Sequence, residues 1–314
     1  MMKLAFLFPG QGSQAVGMGR GFFTASGAVK SLYAEAGDVL GFDVAKLSFE
    51  GPEDELQLTA NAQPAILTAS VAAATVLAER GVAPAIVAGH SLGEYSALVV
   101  AGALSFVHAV RVVRRRGEFM QEAVPVGTGA MAALMGVDLA VVGQICRDAA
   151  EGEIVGVANV NSPLQIVIAG HKGAVERVVA LARERGGKKC VLLPVSAPFH
   201  SALMEPAAGR LAAELATVPV KAPKIPVVRN VDGGLTTSAE EVVPFLVRQV
   251  ANPVRWTECV SRMVREGATT FLEVGPGRVL TGLLKRIAEG AKGYAVEDPA
   301  SLERVVAALR GTGD

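Results

Sequence analysis

Cysteine is scarce in this sequence. The 314 residues contain three cysteines, Cys146, Cys190 and Cys259, which form no CxxC pair and lie 44 or more positions apart. Disulfide frameworks and zinc sites both need cysteines in larger numbers or at closer spacings. These two classes of protein are therefore excluded. No metal site is predicted, and a reducing compartment, the cytoplasm, is expected.

A net charge is also absent. Lys plus Arg and Asp plus Glu number 30 each, so the formal charge is zero and the isoelectric point is near 6.9. A strongly basic or acidic balance would attract nucleic acid or an anionic membrane surface. Neither partner is expected here, and any charged ligand must be recognised by a local group.

Long hydrophobic runs are missing, although the mean hydropathy of +0.39 is high. Apolar stretches such as 71–74 and 76–78 fall far below the roughly 18 to 20 residues that a membrane span needs. The N-terminal apolar run, 4–8, is too short for a signal-peptide core and is closed by Pro9 and Gly10. It predicts a buried strand, and no membrane segment is predicted.

Short apolar runs alternate with longer helical patterns, which predicts an α/β protein with buried parallel strands. A chain of 314 residues is long enough for one large α/β domain or two smaller ones sharing a core. Predicted strands cover 3–8, 85–88, 224–230 and 269–274, and predicted helices cover 61–79 and 106–122, with a further helix from Glu94 onward.

The segment 124–195 has a pattern of its own. Its predicted strands are 130–136, 154–160, 165–170 and 189–195, and its predicted helices are 139–150 and 174–185. This βαββαβ order is the ferredoxin-like arrangement. Prolines and glycine at Pro125, Gly127, Pro194 and Pro198 are typical of hinges. We therefore expect a subdomain, 124–195, inserted into a core formed by 1–123 and 196–314.

The strongest local signal is Gly89-His90-Ser91-Leu92-Gly93, a GxSxG pattern between a predicted strand and a predicted helix. Glycines are needed there because the serine lies on a sharp turn where neighbouring Cβ atoms would clash. The turn exposes the Ser91 hydroxyl at a helix N-terminus, where the Leu92 N–H can stabilise an oxyanion. The pattern predicts a nucleophile, although the same pentapeptide also occurs as a structural turn.

A nucleophilic serine needs a base, and the sequence has four histidines. His90 is adjacent to Ser91 and is expected to point away from it, while His108 and His171 fall on or beside predicted helices. His200 lies in PVSAPFHSALM, on a loop that Pro198 makes rigid. On residues alone His200 ranks first, without excluding the other three. Its neighbour in sequence, a serine, is expected to be exposed.

Four arginines cluster on the predicted helix 106–122. Arg111, Arg114 and Arg115 are expected on a solvated face. Arg116 lies 25 positions after Ser91 and directly precedes a glycine. An arginine beside a nucleophile suits an acyl group that carries a carboxylate, because a guanidinium binds a carboxylate with two parallel hydrogen bonds.

Seven segments together resemble the malonyl-CoA:acyl carrier protein transacylases of bacterial fatty acid synthesis. They are FPGQGSQ, GHSLGEYSALV, RGEFMQEAVPVGTGAMAA, NVNSP, PVSAPFHSALM, NPVRW and FLEVGPGRVLTGL. The resemblance extends from the N-terminus to about Arg286. It implies an α/β-hydrolase-like core with an inserted ferredoxin-like subdomain, in agreement with the pattern described above.

The resemblance also implies roles for three side chains. Ser91 would form a malonyl ester, His200 would act as general base, and Arg116 would hold the malonyl carboxylate. It implies an acyl-carrier-protein S-malonyltransferase that works by a ping-pong mechanism and supplies fatty acid elongation. Malonyl-CoA, a coenzyme A thioester, would be the substrate and acyl carrier protein the partner, with no permanently bound cofactor.

Further roles follow from the same resemblance. The backbone amides of Leu92 and Gln11 would form the oxyanion hole, and the backbone carbonyl of Gln249 would orient the imidazole in place of a triad acid. Phe199 would occupy the space that an α-methyl group needs, which favours malonyl over methylmalonyl. Discrete transacylases often have a small or polar residue there, and Phe199 could equally be a packing residue of the loop.

Three alternatives stay open. A serine thioesterase or other hydrolase could use the same GxSxG turn, but it would have no need for Arg116. A discrete polyketide-synthase acyltransferase would share the chemistry and differ in pathway. A non-catalytic binding module has little support, because Ser91, His200 and Arg116 are all present.

Overall fold

A computed structural model describes residues 3–195 and 197–311, and within them ten strands form two sheets. The strands are β1 (Lys3–Phe8), β2 (Ile86–Gly89), β3 (Gly129–Met135), β4 (Val155–Ser162), β5 (Gln165–His171), β6 (Lys189–Leu192), β7 (Val227–Val228), β8 (Leu235–Thr236), β9 (Ala268–Val274) and β10 (Lys292–Val296).

Fourteen helices occur in the same described ranges. They are α1 (Arg20–Ala25), α2 (Gly27–Leu40), α3 (Val44–Glu50), α4 (Glu53–Gln57), α5 (Thr59–Glu79), α6 (Gly93–Val100), α7 (Phe106–Glu122), α8 (Leu139–Ala149), α9 (Lys172–Glu184), α10 (Glu205–Leu215), α11 (Ala239–Ala251), α12 (Trp256–Arg265), α13 (Val279–Ile287) and α14 (Pro299–Arg310). A 3-10 turn covers Ala202–Met204.

The larger sheet has the strand order β10-β9-β1-β2-β7-β8, and all pairs are parallel except β7 with β8. Side chains alternate along β1, so that Phe6 and Phe8 enter one hydrophobic core while Ala5 and Leu7 enter another. Burial on both faces explains the uninterrupted apolar run. The predicted α/β class is confirmed.

The smaller sheet is antiparallel, with the order β4-β5-β3-β6. Its own core is built by residues such as Leu134 from β3, Ile145 from α8 and Val178 from α9. Its element order along the chain is βαββαβ, and each element lies within a few residues of its predicted position.

Two predicted strands are shorter than expected, and a proline limits each of them at one end. The strand predicted over 224–230 is reduced to β7, which begins only after Pro226, a residue without the N–H that a sheet ladder requires. The strand predicted over 189–195 ends at Leu192, two residues before Pro194.

Helix α5 belongs to the core. By length and composition alone it could cross a membrane, but 83% of its apolar window is buried inside the protein. Burial of this kind is typical of a helix enclosed on several sides by its own fold. The apolar surface of α5 is therefore used within the protein.

Candidate active site

Ser91 lies on a tight turn between β2 and α6, at the carboxyl edge of the parallel strands. We call 89–93 the Ser91 loop. Ser91 has a φ of 51°, a left-handed conformation that costs a non-glycine residue about 1–3 kcal/mol. A Cβ on Gly89 would lie 1.8 Å from the carbonyl carbon of Gly93, and one on Gly93 would lie 2.1 Å from Phe8 O. Both glycines of GxSxG are therefore required sterically.

Asn230 fixes the Ser91 loop from the opposite side. The Ser91 N–H donates to Asn230 Oδ1 at 2.7 Å, and Asn230 Nδ2 donates to Gly89 O at 2.7 Å. Asn230 is fully buried just after β7. No local pattern pointed to it, because it lies 139 positions from Ser91 in sequence.

The structure brings His200 to Ser91. The Ser91 Oγ to His200 Nε2 distance is 2.8 Å, and His200 Nδ1 lies 2.8 Å from Gln249 O. A carbonyl can only accept, so Nδ1 carries the proton and Nε2 accepts from the Ser91 hydroxyl. Gln249 O is available because it lies in the last turn of α11, where helix carbonyls lack intrahelical partners.

His200 also has a left-handed backbone, with a φ of 60°. We call 197–201 the His200 loop. Within it, Ser201 Oγ donates to Pro198 O at 2.7 Å. The expectation that Ser201 is exposed is wrong: its exposure is 7%, because its hydroxyl points back into the loop to donate to Pro198 O.

Burial, with a smaller effect of the nearby Arg116 charge, lowers the pKa of His200 to about 3. The hydrogen bond to Gln249 acts in the opposite sense. The imidazole is therefore neutral at pH 7, which is the form that can accept the serine proton.

Arg116 is 2% exposed and points from α7 toward Ser91. Its Nη1 donates to Gln63 Oε1 at 2.8 Å, and its Nη2 donates to Ser91 Oγ at 3.1 Å and to Gln249 Oε1 at 2.9 Å. Its Nε is buried with no partner among the described residues. The guanidinium is therefore held beside the serine hydroxyl by neutral partners. Gln63 was not identified from the sequence.

The other arginines of α7 lie on the surface, as expected. Arg111 pairs with Glu214, and Arg114 and Arg115 both pair with Glu118. Ion pairs at half-exposed sites contribute little to stability.

The remaining histidines have other partners. His90 Nε2 lies 2.8 Å from Asn161 Oδ1, and its ring packs on Trp256 with centroids 5.5 Å apart. His108 Nδ1 lies 2.8 Å from Ser105 Oγ at the start of α7. His171 Nδ1 accepts from the Ile154 N–H. Among the four, only His200 contacts the serine hydroxyl within the described residues.

A cavity of about 540 Å³ opens at Ser91. Six of the seven residues singled out from the sequence line it: Gln11, Ser91, Leu92, Arg116, Phe199 and His200. The seventh, Gln249, lies behind them and touches three of their number.

The candidate oxyanion donors occupy suitable positions. Gln11 follows β1, and Leu92 immediately precedes α6, where the first N–H groups of a helix have no intrahelical acceptor. Both residues face the cavity, and neither backbone N–H donates to another described residue. They are free to donate to an atom bound beside Ser91.

Comparison with known proteins identifies the class. The model of the acyl transferase domain matches residues 5–310. The chain therefore belongs to the acyl transferase family.

Its relatives within that family are more specific. The chain is 52% identical over 303 residues to a malonyl CoA-acyl carrier protein transacylase of Escherichia coli O157:H7, covering 96% of this chain and 98% of the relative. An acyl carrier protein S-malonyltransferase from Vibrio cholerae superposes with a TM-score of 0.95 at 50% identity, over 96% of this chain and 99% of that one. The resemblance inferred from the sequence motifs is confirmed.

A third relative was solved with a partner. It is a malonyl-transacylase in complex with a type II PKS acyl-carrier protein, and it superposes with a TM-score of 0.95 at 50% identity. The match covers 98% of this chain and 99% of that one.

Proposed function

We propose that this chain transfers the malonyl group from malonyl-CoA to the phosphopantetheine thiol of acyl carrier protein, through a malonyl ester of Ser91. One observation carries the proposal: a serine hydroxyl lies 2.8 Å from a neutral imidazole and 3.1 Å from a buried guanidinium, in one cavity. The first pair suits nucleophilic catalysis, and the guanidinium suits an acyl group with a carboxylate.

The first half-reaction acylates the serine. Ser91 Oγ bonds to the thioester carbonyl carbon while His200 Nε2 takes the hydroxyl proton. The N–H groups of Leu92 and Gln11 stabilise the oxyanion, and the donor from Gln11 contributes about 3 to 4 kcal/mol by analogy with other oxyanion holes. The carbon–sulfur bond then breaks, and His200 returns the proton to the coenzyme A sulfur. Malonyl-Ser91 and free coenzyme A result.

The second half-reaction reverses these steps with a different thiol. The phosphopantetheine thiol of acyl carrier protein gives its proton to His200, and its sulfur attacks the ester carbon. The bond from carbon to Ser91 Oγ breaks, and His200 returns the proton to the serine. Gln249 O keeps Nδ1 protonated throughout, so that a dyad suffices without a triad acid.

Arg116 and Phe199 would select the acyl group. Arg116 would bind the malonyl carboxylate, whose charge offsets the cation that lowers the pKa of His200. The base would therefore gain proton affinity when an acidic acyl group is bound. Phe199, which is 8% exposed and lines the cavity, would fill the space beside the α-carbon.

We also propose that the chain folds as a core with one inserted subdomain. We assign the described residues of 1–123 and 196–314 to an α/β-hydrolase-like core and 124–195 to an inserted ferredoxin-like subdomain; residues 1, 2, 196 and 312–314 of these bounds lie outside the described residues. The GxSxG turn after a parallel strand supports the first assignment. The βαββαβ order and the separate core of the small sheet support the second. We also propose a cytoplasmic enzyme of fatty acid elongation that uses no permanently bound cofactor.

Intact-protein mass tests this function. The parent and the Ser91→Ala variant are mixed with malonyl-CoA, and acyl carrier protein bearing phosphopantetheine is then added. We expect a malonyl adduct on the parent alone, discharged onto the carrier protein. Coenzyme A and free malonate without carrier-protein malonylation would instead identify a thioesterase. Equal adducts on both proteins would exclude Ser91 as the nucleophile.

A further inference from the structure

Glu94 is a buried carboxyl group directly behind the Ser91 loop. It lies in the first turn of α6, is 3% exposed and does not line the cavity. Burying a carboxylate costs free energy unless hydrogen bonds and a counter-charge compensate for it. The contacts of Glu94 therefore need an explanation that the reaction steps above do not give.

The side-chain amide of Gln249 connects Glu94 to Arg116. Gln249 Nε2 donates to Glu94 Oε2 at 2.8 Å, and Gln249 Oε1 accepts from Arg116 Nη2 at 2.9 Å. The carboxylate accepts only from the NH2 end of the amide, so together with Ser91 O it favours the orientation in which the oxygen end faces Arg116. The same Nε2 also donates to Ser91 O at 2.9 Å.

The amide keeps two buried charges close together without a direct ion pair. Within the described residues, the hydrogen bonds of Arg116 go to Gln63, Ser91 and Gln249, none of them charged. Glu94 and Arg116 still interact through space. A direct ion pair would occupy the guanidinium, whereas a neutral amide leaves it able to bind a substrate carboxylate.

We propose that Glu94 is a positioning residue for malonyl transfer. Its carboxylate helps Ser91 O to orient the Gln249 amide toward Arg116, and it supplies the counter-charge of Arg116 while the acyl site is empty. The incoming malonyl carboxylate then competes with Glu94 for the same positive charge. This inference rests on the proposed function, because it assumes that Arg116 binds the acyl carboxylate.

The charges around Glu94 agree with this role. Burial raises the pKa of Glu94 to about 7, while the donors from Gln249 and Asn230 and the positive charges of Arg116 and Arg229 favour its ionised form. Above that pKa the carboxylate opposes the Arg116 charge that lowers the pKa of His200. Loss of the Glu94 charge should therefore strengthen malonyl binding and weaken the base together.

Single-turnover acylation of Glu94→Gln at about pH 8, with malonyl-CoA and with uncharged acetyl-CoA, tests the proposal. Glutamine can still accept from Gln249, but it has no charge. We expect half-saturation by malonyl-CoA at an about tenfold lower concentration, the order of effect of one buried charge, and no such change for acetyl-CoA. The maximal acylation rate should fall for both substrates, because the uncompensated Arg116 lowers the basicity of His200.

Two further variants complete the experiment. Glu94→Leu removes the charge and the acceptor together, so its half-saturating concentration of malonyl-CoA, relative to that of acetyl-CoA, should be higher than in Glu94→Gln. Glu273→Gln is the matched control, since Glu273 is an equally buried carboxyl that accepts from Leu280 and Thr281 at the start of α13. Its malonyl-to-acetyl ratio should equal that of the parent.

The proposal is overturned if Glu94→Gln changes the malonyl and acetyl parameters by one common factor, as a merely structural role would. It is equally overturned if Glu273→Gln shifts the ratio as far as Glu94→Gln does. The Glu94→Gln comparison decides even if Glu94→Leu fails to fold. Failure of the proposed function would be distinguishable, since the parent itself would then transfer no malonyl group.

Discussion

The Ser91 loop and the His200 loop both hold a functional side chain on a left-handed backbone, but they reach that geometry differently. Among the described residues, the non-glycine residues with positive φ are Ser91, Glu151 and His200. The Ser91 loop depends on two glycines within five residues. The His200 loop depends on a helix-terminal carbonyl 49 positions further along the chain.

This difference explains why the Ser91 loop could be predicted from a local sequence pattern and the His200 loop could not. The backbone packs too closely around Ser91 for neighbouring Cβ atoms, so glycines are needed on both sides. Their GxSxG spacing is therefore a local sequence signal of the turn. The hydrogen bond between His200 and Gln249 of α11 has no corresponding local pattern in the sequence. Substitutions that act on one loop and not on the other should separate these two kinds of support.

The largest expected effect comes from Gly93→Ala, which attacks the Ser91 loop sterically. The added Cβ would lie 2.1 Å from Phe8 O, so the turn or β1 must move. We expect acylation of Ser91 to fall at least about a thousandfold, since misplacement by an ångström alone costs about a hundredfold. Intact mass after reaction with malonyl-CoA would measure the loss of acylation, and thermal melting would measure the loss of stability. Parental acylation would contradict the steric account.

A smaller effect is expected from Asn230→Ala, which removes hydrogen bonds from the same loop and adds no clash. The Ser91 N–H and Gly89 O would each lose a partner, at about 1–3 kcal/mol per buried group. We expect a lower melting temperature and an acylation rate reduced about ten- to a hundredfold. If melting fell and acylation stayed parental, Asn230 would have no part in placing the nucleophile.

Burial of His200 should make the free energy of unfolding fall as the pH is lowered. The folded pKa of His200 is about 3, below its ordinary value of 6.5, so the stability is present above pH 6.5 and is lost as pH falls toward 3. Between pH 7.5 and 5.5 the parent should lose about 1.4 kcal/mol more than His200→Gln. Denaturant unfolding at both pH values measures the two losses in the free energy of unfolding. The raised pKa of Glu94 makes stability change with pH in the opposite direction, but this contribution is the same in the parent and the variant. Equal losses would place the imidazole in contact with water.

Phe199→Ser is the mildest change, because it enlarges the cavity and leaves both loops in place. The parent should prefer malonyl-CoA to methylmalonyl-CoA, and the variant should use methylmalonyl-CoA several-fold better relative to malonyl-CoA, since one methyl group is worth about 1–3 kcal/mol in such pockets. Competition between the two thioesters gives the ratio directly. An unchanged ratio would identify Phe199 as a packing residue of the loop.

Much of the fold could be predicted from local patterns. The runs at β1 and β9 and the amphipathic pattern of α7 were placed to within a residue, because burial period and length agree there. The helices of 20–57 were not predicted: α1, α3 and α4 have only five to seven residues, and the 14-residue α2 was missed. At β7, a predicted strand of seven residues is reduced to the two residues that follow Pro226.

Some residues of the candidate site could likewise be predicted from local patterns, and others could not. Ser91 and its glycines could be found from spacing alone, and His200 ranked first only by comparison with three other histidines. Asn230 and the side chains of Gln63 and Glu94 were missed, because their partners are distant in sequence or lie behind the cavity. Hydrogen bonds that connect separate elements have no periodic signal.

Arg116 contacts the nucleophile and lowers the pKa of the base, so its replacement tests the central claim of malonyl-serine transfer most directly. The measurement is single-turnover acylation of the parent and Arg116→Ala by malonyl-CoA and by acetyl-CoA, followed by intact mass. We predict that malonyl acylation falls by about a hundredfold or more, as expected for a lost charge-assisted carboxylate contact. Acetyl acylation should be equal or faster, because His200 regains basicity. Equal losses for both thioesters would contradict the account.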